Sequence, residues 1–563
     1  MATSPGRWPV DVLAASGLRL DLDIFDYLIL ALYFVTVLGI GFAARAAIKS
    51  SSDFFLSGRS MPAWVTGLAF VSANLGALEI LGMAANGAQY GLMTLHYYWV
   101  GAVPAMVFLG IVMMPFYYGS RVRSVPEFLR RRFNNGTHLF NAISFAVAQV
   151  LIAGVNLYAL ALILEALLGW PLWVSIMLGA AIVLVYITLG GLSSAIYNEV
   201  LQFFVILAGL IPITIVGLVK VGGIDGLFDK VRQSPLGEAG LHTWANTGST
   251  DNPLGASWIG IIFGLGFVLS FGYWTTNFAE VQRALSAKSN NAARRTPIIG
   301  AFPKLLIPAV TVIPGLIALV TVKGLGAESG ELQYNYAIPL LMRDLLPNGV
   351  LGVAVTGLLA SFMAGMAANV SGFNTVFTYD IWQSYIRKDR SDEYYLRVGR
   401  IATIAGVIVG IGTAFIAAGF SNIMNYIQAL FSLFNAPLFA TFIVGMFWKR
   451  MSAWAGFWSL VLGFVASLTL YILHLTDVLH FNSDLDESFW GAGAAFVVAV
   501  IVAVIVTQFT PSKREEELRG LVYGLEGNTG EAILAGEKVW WRNPVLLGAI
   551  ALILAVVLYI PVW

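Results

Sequence analysis

The sequence contains no cysteine, which excludes disulfide bonds and thiol chemistry. Charge is scarce: Asp, Glu, Lys and Arg make up 11% of the 563 residues, where soluble domains carry about 25%. The formal net charge of +1 leaves no basis for binding a polyanion, so nucleic acid is excluded as a partner. The five histidines, at 96, 138, 242, 474 and 480, lack metal-ligand spacing. There is no His-Glu-x-x-His, no Ser-His pair at suggestive spacing and no glycine loop to cradle phosphate, which argues against an enzyme and against an organic cofactor. Residues 1–25 lack the short apolar core and small-residue cleavage site of a signal peptide, so targeting is expected to rest on the first membrane span.

What is abundant is apolar surface. Hydrophobic residues make up 58% of the chain, and mean hydropathy is +0.79. This is the composition of a polytopic, all-α membrane protein. Windows of about 20 residues, enough to cross the hydrocarbon core, fall near 26–47, 62–84, 93–118, 138–168, 171–190, 196–220, 255–281, 297–322, 349–378, 398–419, 423–447, 453–474, 488–508 and 544–562, about fourteen in all. Arginine and lysine favour the cytoplasmic side, and they cluster in the odd-numbered loops. Examples are Arg121, Arg123, Arg130, Arg131 and Arg132 in the third and Arg283, Lys288, Arg294 and Arg295 in the seventh. Odd loops are therefore expected inside, with both termini outside. The longest even loop, about 221–254, reads as an external cover, and the charged stretch 510–543 as a cytoplasmic linker.

Two spans carry polar interruptions in corresponding positions, five spans apart: "SANLGALE" (72–79) and "LSFGYWTTN" (269–277). Transporters built on an inverted repeat bind solute where a helix in each half unwinds, and Gly76 and Gly272 are the expected points of relaxation. Glycine is also frequent in membrane helices for packing alone. Two matched and polar segments favour a binding site. Glu79, a carboxylate in an apolar run, must face a cavity or a partner. Ser361, Ala364, Gly365, Ala368 and Gly372 recur at helical spacing and leave one helix face bare for a neighbouring backbone. That face suits tight packing, and it also suits an ion site.

The segments "DFFLSGRSMPAWV" (53–65), "SANLGALEILGMAANGAQYGL" (72–92), "SVPEFLRRRFN" (124–134), "TLGGLSSAIYNEVLQFF" (188–204), "YWTTNFAEVQRALSAKS" (273–289) and "NTVFTYDIW" (374–382) resemble the sodium:solute symporter family, which includes the sodium/glucose and sodium/galactose cotransporters. The resemblance runs from about residue 26 to 474. It implies a five-plus-five inverted-repeat core with discontinuous second and seventh spans, alternating access, and solute uptake driven by a cation gradient. On this division, 1–48 holds the N-terminus and first peripheral helix and 53–450 the core of spans two to eleven. Peripheral helices follow in 451–509, the linker in 510–543 and the last helix in 544–563. The resemblance further implies that Lys304 and Gln428 contact the solute, that Tyr273 closes over it, and that Glu199 lines an ion exit path. Asn277, in the same motif as Tyr273, joins the expected solute-binding set.

Other positions depart from the family. Glu79 stands where the sugar symporters have glutamine, Tyr98 where they have glutamate, and Ser270 where they have asparagine. The family's sodium site uses carbonyls at the positions of Ser72, Leu75 and Ser361 and two adjacent serine hydroxyls. Those serines are here Ala364 and Gly365. Sodium wants a full shell of oxygens, so water, Asn369, Ser371 or another carbonyl would have to complete the site. Three readings of coupling follow: sodium through a rebuilt site, the proton with Glu79 titrating, or no tight coupling, as in a facilitator or sensor. The expected activity is cation-coupled uptake of a small polar solute, foremost a monosaccharide, with an amino acid, carboxylate or vitamin as the alternative. Two expectations account for the intramembrane acid: a Glu79/Lys304 pair bridged by sugar hydroxyls, or a permanent ion pair of the two that only balances charge. His96 is expected to bond between helices and not to the solute. The expected partners are the solute, sodium and the lipid bilayer. The expected setting is a bacterial inner membrane, with a single subunit as the working unit.

Overall fold

A computed structural model describes residues 20–45, 55–76, 78–168, 170–326, 332–420, 422–525 and 539–563, with the backbone alone at 45, 166–168 and 186–191. Residues 1–19, 46–48 and 53–54, and 526–538 of the expected linker, lie outside the described residues. Among the described residues the regular structure is helical, apart from two isolated bridges, Met61 to Ala287 and Leu325 to Leu332. Eleven helices are long and apolar enough to cross a membrane, and two bent pairs raise the number to thirteen. The window expected at 171–190 falls in the first part of one continuous helix, Leu172–Val221, whose residues 186–191 are described by backbone alone; the described apolar stretch before them is Leu172–Val185.

Among the described residues, eight helices take part in the central site: α1 (Ala63–Asn74), α2 (Leu78–Leu95), α3 (Asn135–Leu168), α4 (Gly260–Thr276), α5 (Phe278–Leu285), α6 (Asn290–Leu306), α7 (Val350–Val376) and α8 (Ile423–Phe447); the helix Leu172–Val221 packs against α7. The pair α1 and α2 is bent by 60°, and the pair α4 and α5 by 50°. At the first break Leu75 leaves helical geometry at ψ 46°, and its N–H turns back to the carbonyls of Val71 and Ser72. The chain resumes as a π-helical turn, Leu78–Gly82, which carries Glu79.

The second break corrects the expectation. Gly272 lies inside α4, and its role is close approach: a Cβ there would sit 3.0 Å from the carbonyl oxygen of Asn435 on α8. The helix breaks at Asn277, which adopts an extended conformation and caps α5 by accepting from the Ala279 N–H at 3.0 Å. An asparagine in that place satisfies an orphan donor of the new helix.

The basic loop motif at 124–134 is a folding device. Ser124 caps a short helix by accepting from the Glu127 N–H at 3.1 Å, and Glu127 accepts from the Arg123 N–H at 2.7 Å. Arg132 is fully buried and donates to the carbonyls of Gly445, Met451 and Trp448 at 2.7, 3.1 and 3.1 Å, closing the C-terminal end of α8. Stretch 221–254 is folded, beginning with a helix at Gly223–Arg232. It ties to the last helix through the Thr243 N–H, which donates to the Val562 carbonyl at 2.8 Å. His96 joins the two: one ring nitrogen pairs with the Thr243 carbonyl at 2.6 Å and the other with the Tyr559 hydroxyl at 2.8 Å. A neutral imidazole, one donor and one acceptor, fits those partners, and His96 accordingly bonds between elements, away from the central cavity.

Candidate solute and cation site

The two helix breaks, α6 and α8 surround a cavity with about 500 Å³ of atom-free space, part of it continuous with solvent. Glu79, Tyr98, Ser270, Tyr273, Lys304 and Gln428, six of the expected contact residues, line it. Asn277 does not. Its side chain is spent on the α5 cap and on the Gln149 amide, which donates to it at 3.3 Å. Ser270 reaches the cavity wall, but its hydroxyl donates to the Leu265 carbonyl of its own helix at 2.8 Å.

Glu79 and Lys304, distant in sequence, meet at 2.8 Å with side chains 5% and 2% exposed. Lys304 also donates to the Asn74 side-chain oxygen, and its ammonium lies over the rings of Tyr98 at 5.4 Å and Trp274 at 5.1 Å. Aromatic faces carry negative charge density and hold a cation favourably. Asn74 passes the network on, since its amide donates to the Tyr273 hydroxyl at 2.9 Å, which donates to Glu280 Oε1 at 2.8 Å. A chain of polar contacts therefore runs from the central cavity, through both helix breaks, to the buried acid Glu280.

Three polar atoms of this site have no hydrogen-bond partner among the described residues: the acceptors Glu79 Oε1 and Gln428 Oε1, and the Tyr97 hydroxyl. The Gln428 amide nitrogen is turned to Met424 Sδ at 3.2 Å, which leaves its oxygen free. Tyr273, Trp274 and Phe431 supply aromatic walls, with Tyr273 and Phe431 ring centres 4.7 Å apart. Flat rings of this kind pack against the faces of cyclic solutes.

The residues expected at a cation site cluster elsewhere, where α1 crosses α7. Ser72 and Ser361 are fully buried, and among the described residues neither hydroxyl has a hydrogen-bond partner. Leu75, Ala364 and Gly365 are buried at the same crossing. The backbones approach so closely that a Cβ on Gly76 would lie 3.2 Å from the Gly365 Cα. Asn156 of α3 reaches into this crossing. Its side-chain oxygen lies 2.5 Å from where a Cβ would stand on Gly76, and 2.5 Å from where one would stand on Gly365. Ser371 is turned away and donates to Gln282 at 3.2 Å. Glu199 is fully buried, with both carboxylate oxygens engaged by the Arg283 guanidinium in a bidentate pair.

Sequence reasoning did not single out Asn74, Trp274, Asn156 or Glu280. Asn74 and Trp274 lie inside the two interrupted segments, 72–79 and 269–277, and could have been found there. Asn156 is one of several buried polar residues in a long, mostly apolar helix, with Asn141, Gln149 and Glu165, and Glu280 reads as an ordinary residue of a helix's first turn; neither carries a local signal.

The sequence matches the sodium:solute symporter family over residues 54–463. It is 29% identical to the sodium/glucose cotransporter of Vibrio parahaemolyticus, over 80% of this chain and 85% of that one. It is 29% identical to human sodium/glucose cotransporter 4, over 90% of this chain and 79% of the relative. It is also 29% identical to the rabbit (Oryctolagus cuniculus) sodium/myo-inositol cotransporter 2, over 80% and 70%. Among solved structures, a Na+-coupled sialic acid symporter in a substrate-bound outward-open state superposes with a TM-score of 0.71, covering 88% of this chain and all of that one at 22% identity. That likeness establishes the fold.

Proposed function

Because the chain belongs to the sodium:solute symporter family, we propose that it takes up a small polyhydroxylated solute, foremost a monosaccharide or cyclic polyol, coupled to sodium entry by alternating access. The observation that carries the reading is the pair of partnerless acceptors, Glu79 Oε1 and Gln428 Oε1, in a cavity walled by aromatic rings. Unpaired buried acceptors call for a ligand rich in donors, and each sugar hydroxyl offers one. A carboxylate or amino-acid solute fits less well, because Lys304 is already engaged by Glu79 and Asn74 and an incoming anion would have to displace them.

Sodium is a co-substrate in this reading. Its seat is the crossing of α1 and α7, with backbone oxygens at Ser72, Leu75 and Ser361. The absent hydroxyls at Ala364 and Gly365 are replaced by the Asn156 amide oxygen, an oxygen donor of the hard kind that such cations take. Support comes from the two serine hydroxyls without partners and from the placement of Asn156 between two glycines. The inverted-repeat core over 53–450, a bacterial inner membrane and external termini belong to the same proposal. So does a single working subunit. The orientation rests on the basic odd-numbered loops.

Proteoliposomes given labelled glucose, galactose or myo-inositol test the proposal, with a sodium gradient, a proton gradient or no gradient imposed in parallel. Accumulation above equilibrium with sodium is the expected result. Accumulation with protons alone would remove the sodium seat, and equilibration alone would remove coupling.

A further inference from the structure

Five charged side chains form a buried string through the centre: Glu79 with Lys304, Glu199 with Arg283, and Glu280 between the pairs. Three carboxylates face two cations, so the string carries one negative charge too many. The excess falls on Glu280. Glu79 lies against the Lys304 ammonium, and Glu199 takes the Nε and Nη2 arms of the Arg283 guanidinium, whose Nη1 donates to the Ala279 carbonyl at 2.6 Å and to Gln282 at 3.4 Å. Glu280 is 2% exposed and holds one neutral donor, the Tyr273 hydroxyl on Oε1. Its Oε2 has no hydrogen-bond partner among the described residues. The charged groups acting on it are Arg283 of its own helix, Glu199 of the Leu172–Val221 segment and Lys304 of α6. Both cations are committed to other acids.

An ionised carboxylate buried in that condition has lost its water without gaining a cation or a full set of donors in exchange. A metal ion does not resolve it, since the two cations acting on Glu280, Arg283 and Lys304, would repel one, and no group of three or more His, Cys, Asp or Glu side chains that could hold a metal exists among the described residues. A proton resolves it with one bond. We propose that Glu280 is a proton-binding site behind the solute cavity, carrying its proton on Oε2 at neutral pH and linked to the cavity through Tyr273. The link is geometric. Tyr273 forms the cavity wall with its ring, and its hydroxyl accepts from Asn74 while donating to Glu280. Losing the proton turns Glu280 into a stronger acceptor and draws on the wall that meets the solute. Binding of solute and binding of the proton are then coupled, each altering the affinity of the other by the same factor.

Infrared spectroscopy of the purified protein tests this without reliance on the transport reading, because the carbonyl stretch of a protonated carboxylic acid stands apart from that of a carboxylate. At neutral pH the wild type minus Glu280→Gln difference should contain one protonated-carboxyl band that shifts in deuterium oxide. The wild type minus Glu79→Gln difference should lack it. Tyr273→Phe removes the donor to Oε1, and should move the band without abolishing it. A Glu280→Gln difference that shows carboxylate bands alone would overturn the protonation, and an unmoved band in Tyr273→Phe would overturn the link. A shift of the band on adding sodium with galactose is the expected sign of coupling. If galactose shifts nothing while the band is present, the site stands and the choice of solute falls.

Discussion

The side-chain oxygen of Asn156 occupies the space in which a side chain at Gly365 would begin, 2.5 Å from the position of its missing Cβ. The two residues therefore exclude each other's alternatives. A serine at 365 would need the amide of Asn156 to withdraw and the Gly76 backbone, whose Cα would stand 3.0 Å from the new Cβ, to give slightly; the amide is admitted because 365 is glycine. If Asn156 serves the sodium seat, Asn156→Ala should raise the sodium concentration for half-maximal uptake at least tenfold, with solute affinity at saturating sodium little changed. Gly365→Ser alone should be poorly active through the clash. The double variant should recover sodium affinity, because the hydroxyl returns where the amide has left. A double-mutant cycle on sodium affinity reads the coupling directly, and additive effects would separate Asn156 from the ion.

The pair of Glu79 and Lys304 makes unequal predictions for its two halves. Glu79→Gln keeps an acceptor in the cavity and leaves Lys304 with Asn74 and two aromatic faces. It should fold and lose solute affinity by about tenfold, the roughly 1.4 kcal/mol of a weakened charge-assisted hydrogen bond. Lys304→Met strands a buried carboxylate and should lose about 3–5 kcal/mol of stability, seen as a lower melting temperature in detergent. Equal melting temperatures for the two variants would show that the pair is more open to water than its burial states.

Much of the architecture was legible because a bilayer demands long apolar windows, and fourteen of them were expected where thirteen crossing segments are described. The first helix break was legible too, since Gly76 and the polar residues around it leave few alternatives. Gly272 misled because glycine signals both a break and a close approach, and it is the close approach to Asn435 that is realised. The better signal was Asn277, a residue that caps helices, with Glu280 three positions on. That spacing also hid Glu280, whose carboxylate looks like part of a capping box yet accepts from Tyr273. Asn156 could not be read locally, because what defines it is the bareness of two glycines distant in sequence. The tie between His96, Thr243 and Tyr559 depends likewise on elements far apart in the chain.

Arg132 is expected to be a folding residue with no part in transport. Its guanidinium meets three carbonyls at the end of α8 in a buried setting, and a lysine cannot reproduce a planar fork. Arg132→Lys should cost about 2–4 kcal/mol, since hydrogen bonds to charged groups are worth roughly 1.5–3 kcal/mol each and one or more would be lost. The melting temperature should fall, while the solute and sodium affinities of the folded fraction stay at wild-type values. A change in either affinity at unchanged stability would assign Arg132 to the transport path.

Glu127, in the loop helix outside the membrane spans, sets an acid limit on stability. Burial pushes its carboxyl up, but the Arg123 N–H, the Arg123 guanidinium and Arg131 together outweigh burial and hold it below the usual carboxylate range. A carboxylate whose value is lower when folded contributes stability above its unfolded pKa of about 4.3. That contribution fades as pH falls through the lower, folded value. Glu127→Gln removes the titration while keeping an acceptor for the Arg123 N–H. The variant should melt lower than the wild type at neutral pH, and the gap should narrow on acidification below about pH 4. Melting curves of both proteins in detergent across that range decide the matter. A gap that is constant with pH would mean that Glu127 acts through shape and hydrogen bonding, with its charge contributing nothing to the loop.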